Sequence, residues 1–244
     1  MGQSKQLDAN RSLFLPVKKV IFDTDIGIDD AMALLFLHHA PDVDLIAITT
    51  GFGNASVSNT TRNALYMKEL FNMSAAVYAG AATPVGSALG EGYADFVHGK
   101  NGLGDIPITT PMCEAEAMPA AEAIVELVRA NPHALSVVAV GRMTNLAMAL
   151  ALDPELPSLV KELIVMGGVF GYNGHRGNVS PVAEANIAGD PLAADRVFSS
   201  GIPTTIVGLD VTAETVMNEA YIDQLRQTAG AVSYTHLTLP TIVR

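Results

Sequence analysis

Val20-Ile21-Phe22-Asp23-Thr24-Asp25-Ile26-Gly27-Ile28-Asp29-Asp30 is the stretch on which the reading of this chain turns. A β-branched and aromatic run leads in, a glycine interrupts it, and an apolar helical pattern (Ala31, Leu34, Leu35) follows. That order reads as a strand, a tight turn and a helix start. Asp25, Asp29 and Asp30 then fall together just past the strand's end. Carboxylates so close repel one another unless a cation or a shared proton relieves them, so the turn reads as a hard-metal site. The plainer alternative is that these aspartates cap the helix, although one Asp would suffice for that.

Outward from this turn, apolar strand-like runs alternate with helical patterns, which predicts βαβ units and an α/β fold: an open, mostly parallel sheet with helices on both faces. Strands are predicted at Lys18 to Thr24, Asp44 to Thr50, Ala76 to Ala79, Leu135 to Val140, Glu162 to Met166 and Thr204 to Gly208. Helices are predicted at Asp29 to His39, Ser58 to Phe71, Ala117 to Ala130, Asn145 to Ala151, Pro191 to Ser199 and Asn218 to Gln227. The stretch from Ala81 to Pro111 is rich in glycine and proline and reads as a long functional or mobile loop. One domain is expected over 18–230, preceded by an N-terminal extension, 1–17. Val232-Ser233-Tyr234-Thr235-His236-Leu237-Thr238-Leu239-Pro240-Thr241 resembles the in-frame translation of a transposon-based sequencing-library adapter. Residues 231–244 are therefore expected to be a non-native tail, and the chain a fragment of a longer gene product; an ordinary C-terminal strand is the alternative.

The 244 residues suffice for one large buried core, 49% of them are hydrophobic, and no apolar run is long enough to span a bilayer. The single cysteine, Cys113, excludes an internal disulfide and fits a reducing, cytoplasmic setting. A formal net charge of -11 with thinly scattered Lys and Arg argues against nucleic acid as a partner. A membrane partner is likewise not expected.

In open α/β sheets, ligands collect at the carboxyl ends of strands. The aspartate turn lies there, as do Asn54 after the second strand, Val140-Gly141 after the fourth and Met166-Gly167-Gly168 after the fifth. Four separate stretches thus deliver polar groups or close-approach glycines to one edge. A hard cation such as Ca2+ takes about six to eight oxygens, which Asp25 and Asp30 would supply together with a backbone carbonyl or waters. Asp29, at a helix N-terminus that favours its ionised form, is the candidate general base for a water acidified by that cation. Asn178, Glu184 and Asn186 bring amides and a carboxylate near one another, a combination that can grip a vicinal diol; a polar turn-forming loop is the alternative. Asn54 reads equally as a turn residue, His98 as a solvated loop histidine and Met166 as core.

Several motifs together resemble the inosine–uridine preferring nucleoside hydrolase family. They are Asp23-Thr24-Asp25-Ile26-Gly27-Ile28-Asp29-Asp30, Ile48-Thr49-Thr50-Gly51-Phe52-Gly53-Asn54, Thr61-Arg62-Asn63-Ala64 and His98-Gly99-Lys100-Asn101-Gly102-Leu103-Gly104. Met143-Thr144-Asn145-Leu146-Ala147, Val165-Met166-Gly167-Gly168, Asn178 with Ala183-Glu184-Ala185-Asn186, and Val207-Gly208-Leu209-Asp210-Val211-Thr212 complete the set. The resemblance implies a Rossmann-like fold and Ca2+-dependent hydrolysis of the N-glycosidic bond of ribonucleosides, in purine and pyrimidine salvage. It implies Asp25, Asp30 and the carbonyl of Val140 as calcium ligands, Asp29 as general base and Asp23 as a neighbouring support. Asn54, Asn178, Glu184 and Asn186 would hold the ribose hydroxyls, with Met166 packing beside the sugar, in a homodimer or homotetramer when intact.

Two departures stand out. Ala185 replaces a phenylalanine usual between the Glu and Asn of the ribose motif. The family's downstream His-Asp pair, which supplies a last calcium ligand and a group near the base, has no match before the tail. The chain as written is therefore expected to be a weak or inactive enzyme. Two alternatives remain open: a non-catalytic ribose or nucleoside binder, and a haloacid-dehalogenase-like phosphatase with Asp23 as nucleophile in its Asp-x-Asp motif.

Overall fold

The structure, a computed structural model, describes residues 16–88 and 92–228. The expectations for residues 1–15 and for the adapter-like segment 231–244 lie outside the described residues. Six strands, β1 (Lys18–Thr24), β2 (Val43–Thr50), β3 (Ala76–Ala79), β4 (Leu135–Ala139), β5 (Glu162–Met166) and β6 (Thr204–Val207), form one sheet in the order β3-β2-β1-β4-β5-β6. Every pairing is parallel. Strand order reverses between β1 and β4, so a crevice opens between their carboxyl ends, where α/β sheets bind ligands.

The longer helices are α1 (Ile28–His39), α2 (Val57–Leu70), α4 (Ala120–Ala130), α5 (Thr144–Leu152), α8 (Pro191–Phe198) and α10 (Glu219–Thr228). Between them lie the short α3 (Asp95–His98), α6 (Leu156–Leu159), α7 (Ala185–Gly189) and α9 (Leu209–Thr212). None of the described helices is long and apolar enough to cross a membrane.

The sheet is buried on both faces because its strands are apolar on both. Val20 and Phe22 of β1 join one core with Leu45, Ile48, Val77, Leu34 of α1, and Ala64 and Met67 of α2. Ile21 points the other way, into a core with Val137, Leu163, Ile124 of α4, Leu146 of α5 and Val197 of α8. This is the near-continuous hydrophobic signature of a parallel strand, read in two halves.

β1 and β2 slip by one residue along their length. Val20 pairs with Leu45, but Ile21 pairs with Ala47, so Ile46 is the extra residue and Asp23 comes opposite Thr49. The bulge is local; its effect is on which polar groups meet at the strand ends.

Candidate active site

Asp25 leaves β1 into the turn, and Asp29 and Asp30 open α1. Asp25 and Asp30 are buried at 2% and 5% exposure, whereas the Asp29 side chain is 85% exposed. The three carboxylates are close enough for the charge of Asp29 to act on both others, but they differ in depth: two are interior and the third faces outward. Among the described residues no three His, Cys, Asp or Glu side chains form a metal-binding group by themselves.

Asp30 explains its own burial. Its Oδ2 accepts Gly27 N–H at 2.7 Å and Asn54 Nδ2 at 2.9 Å, and its Oδ1 accepts Thr24 Oγ1 at 3.1 Å. Helix α1 is therefore capped at Gly27, with Asp30 reaching back over its first turn, so the capping alternative holds for Asp30 alone. Asp25 is less well served. Its Oδ2 accepts the Asn54 N–H at 2.7 Å, but its Oδ1 is buried with no hydrogen-bond partner. Burial pushes its carboxyl up to about 7, with the Asn54 amide and the Arg142 charge working against that rise. Burial first, and then the charges of Asp29 and Asp25, push Asp30 well above the usual carboxylate range.

Two glycines let the crevice close on Asp25. A Cβ on Gly53 would collide with the Asp25 carboxylate, and one on Gly141 would fall 2.7 Å from its Oδ1. The loops after β2 and β4 therefore approach this side chain as backbone only.

Asp23 lies deeper, 1% exposed, where Thr49 Oγ1 and Asn145 Nδ2 both donate to its Oδ1 at 2.6 and 2.9 Å. Burial raises it to about 6 despite these donors. A carboxylate so enclosed is not presented to a substrate, which counts against the phosphatase alternative with Asp23 as nucleophile. Asn145 also donates to Thr50 O and accepts from Ala81 N–H, so one amide ties the ends of β1 and β2 to α5 and to the loop after β3.

His98 is not the solvated loop residue that the sequence suggested. It ends α3, only 9% exposed, and its Nδ1 accepts the Ile28 N–H at 3.3 Å while standing 3.9 Å from Asp29 Oδ1. Burial lowers its pKa, with Asp29 opposing. His98 thus seats the long loop on the N-terminus of α1, beside the exposed carboxylate.

The segment from Asn178 to Asn186 is only partly the polar loop its sequence suggested. Glu184, 3% exposed, caps α7, accepting Asn186 and Ile187 N–H, and also accepts Gly168 N–H at 2.9 Å. Asn186 Nδ2 donates to Val140 O at 2.8 Å and to Met166 O at 3.1 Å, and lies 3.4 Å from Met166 Sδ. Asn178 Oδ1 accepts Ala185 N–H. Val140, Met166, Glu184 and Asn186 therefore form one connected wall, and Asn54 separately joins Asp25 and Asp30. Sequence reading left Asn145, Thr49 and Arg142 without roles. A usable signal for Asn145 was its place ahead of the wholly apolar Leu146-Ala147-Met148-Ala149-Leu150, where a buried amide must find partners.

A cavity of about 390 Å3 lies elsewhere, against α2 and lined by Val57, Thr61, Arg62, Leu65 and Cys113, and includes none of these residues.

Comparison with known proteins gives one answer. The family model for inosine–uridine preferring nucleoside hydrolases matches residues 20–243. Uridine nucleosidase 1 of Arabidopsis thaliana is 40% identical over 214 residues, covering 87% of this chain and 62% of that protein. The chain thus spans under two thirds of this relative's length. A plant nucleoside hydrolase, the PpNRh1 enzyme, superposes with a TM-score of 0.87 at 37% identity, over 93% of this chain and 70% of that one. A purine-preferring ribonucleoside hydrolase from Gardnerella vaginalis gives a TM-score of 0.84 at 35% identity, over 90% and 70%.

Proposed function

This chain belongs to the inosine–uridine preferring nucleoside hydrolase family, and from that premise we propose that it acts on ribonucleosides, splitting the N-glycosidic bond with water to give ribose and free base. The observation that carries the reading is the buried pair Asp25 and Asp30 at the sheet's switch point, with Asp25 Oδ1 left unsatisfied. A buried carboxylate oxygen without a donor calls for a cation, and an all-oxygen surround suits a hard one.

Ca2+ is the proposed group, held by Asp25, Asp30 and the carbonyl of Val140, whose second lone pair is left by the Asn186 bond. When bound it would supply a hard positive centre that relieves the buried carboxylates and acidifies water nearby. Asp29, exposed at the first turn of α1, is the proposed base that takes the proton from the attacking water. Asp23 supports the crevice through Thr49 and Asn145 rather than by touching substrate. Asn54 and Asn186 keep their amide oxygens, and Asn178 its amide nitrogen, for ribose hydroxyls; Glu184 holds the wall on which they stand, and Met166 packs beside the sugar. Gripped hydroxyls orient the anomeric carbon while positive charge develops at the ribosyl centre. We place the protein in the cytoplasm, in nucleoside salvage, as a homodimer or homotetramer when intact.

Binding is the primary readout, because it reports directly on the crevice that Asp25 and Asp30 form. Calorimetry with Ca2+, then with ribose in the presence of Ca2+, should show ribose binding that requires the cation. Asp25→Asn should weaken Ca2+ binding at least ten-fold. Ribose binding unaffected by chelator would overturn the metal-centred reading. Free base released from uridine or inosine supports the hydrolase; tight nucleoside binding with no release in any condition supports the non-catalytic binder.

A further inference from the structure

Arg142 follows Val140 and Gly141 at the end of β4, on the arm of the crevice that closes on Asp25. Its guanidinium lies over the ring of Phe52, 4.6 Å from the centroid, and Phe52 is itself only 1% exposed. Gly189, the last residue of α7, makes room for it, since a Cβ there would collide with Arg142 Nε. Yet among the described residues Arg142 makes no hydrogen bond, and no carboxylate oxygen comes within the 4.0 Å of an ion pair. A half-buried guanidinium without such a partner is costly to keep, and burial lowers its pKa accordingly.

The charges that reach it are those of Asp25 from the β1 turn, Asp190 from the start of α8, and the Tyr93 phenol from the long loop. Asp190 is already satisfied by Thr144 Oγ1 and by the Val85 and Ala193 N–H groups. Asp25 is the neighbour with an oxygen to spare, and it interacts in turn with the charges of Asp29 and Asp30.

On the reading that Asp25 and Asp30 hold a divalent cation, we propose that Arg142 is a resident counter-cation that steadies the aspartate turn while the metal is absent and opposes the metal when it binds. A fixed positive charge in a crevice of low dielectric attracts the carboxylates and repels a divalent ion twice as strongly as a monovalent one. The two effects are linked. Whatever Arg142 contributes to the metal-free fold it takes back from metal affinity, because binding to the folded state and stability of that state share one cycle. Arg142 is on this view a positioning residue that sets how tightly the site takes its cation, without touching the nucleoside.

The test uses the full chain as wild type, Arg142→Met and Arg142→Lys. Each is melted in chelator and in saturating CaCl2, and titrated with Ca2+ alone at one fixed pH. Arg142→Met should melt lower than wild type in chelator, gain more from Ca2+, and bind Ca2+ about ten-fold more tightly. Arg142→Lys, which keeps the charge, should retain the wild-type affinity. An equal deficit with and without Ca2+, with unchanged affinity, would show that Arg142 only packs on Phe52 and overturns the proposal; so would weaker Ca2+ binding by Arg142→Met. If none of the three proteins responds to Ca2+, the metal reading itself fails, and that result is distinct from the other two.

Discussion

Arg129 places Nε 2.6 Å and Nη2 2.8 Å from the two oxygens of Asp153, whose side chain is 5% exposed. That fork of donors holds the Asp153 carboxyl below its ordinary 3.8, against the opposing effect of burial. A carboxyl depressed on folding stabilises above its unfolded pKa, and the stabilisation is lost as pH falls through the folded value. Asp153→Asn should therefore lower the melting temperature at pH 7, by an amount that shrinks steadily below about pH 4. A deficit that stays constant down to pH 2 would contradict the assignment. Asp25 is the same residue type in the opposite condition: buried, short of donors and pushed up to about 7. For Asp153 the Arg129 fork outweighs burial, and for Asp25 burial outweighs its few donors. Asp153 has a cation within hydrogen-bond reach, while Asp25 has one held beyond it.

Helix α4 buries Ala120, Ala121, Ala123, Ile124 and Val128 and leaves Glu122 in solvent. Ile124→Ala should cost about 2–5 kcal/mol in urea unfolding, because a fully buried branched chain leaves a cavity, and Glu122→Ala within ~0.5 kcal/mol of nothing. Near-equal costs would mean that α4 is not packed as described. The long elements were legible because their periodicity is strong: β1, β3 and β5 keep the predicted limits, and α1, α2, α5, α8 and α10 move by a residue or two at most. The predicted helix from Ala117 starts three residues later, at Ala120, because Pro119 takes the extended N-cap position, and residues before a proline disfavour the helical region. The short helices α3, α6, α7 and α9 were not legible, since four or five residues make little more than one turn and cannot show a repeat. Two of these short helices carry site residues. Glu184 reads as one more polar group in a loop until α7 turns it into a cap, and His98 reads as exposed until α3 folds it onto α1. Sequence singles out candidate residues for the site but not the partners that hold them. Composition marks a candidate; only the fold determines that Asn186 spends its amide on Val140 and Met166.

At the scale of the molecule, β1 is paired on both sides, by β2 and β4, while β6 is an edge among the described residues, with Ile206 38% exposed. Amide exchange should be slowest at Ile21 and Phe22 and markedly faster across Thr204–Val207, because openings at an edge expose fewer buried contacts. Equal protection of β6 and β1 would point to a partner covering that edge in solution. The same central strand delivers Asp23 and Asp25 to the switch point, so the most firmly held part of the sheet is also the one that presents the carboxylates. The extra residue at Ile46 gives this arrangement a sensitivity to length as well as to identity. Were Ile46 drawn into the ladder instead of bulging out of it, β2 would meet Asp23 with Ile48 in place of Thr49, and the strand's alternation would send the threonine hydroxyl to the opposite face. Loss of the Ile46 codon would by contrast leave Ala47 directly after Leu45 and Asp23 still facing Thr49, so the bulge is slack in the strand: β2 can shed one residue there, whereas an added one would have to find a bulge of its own.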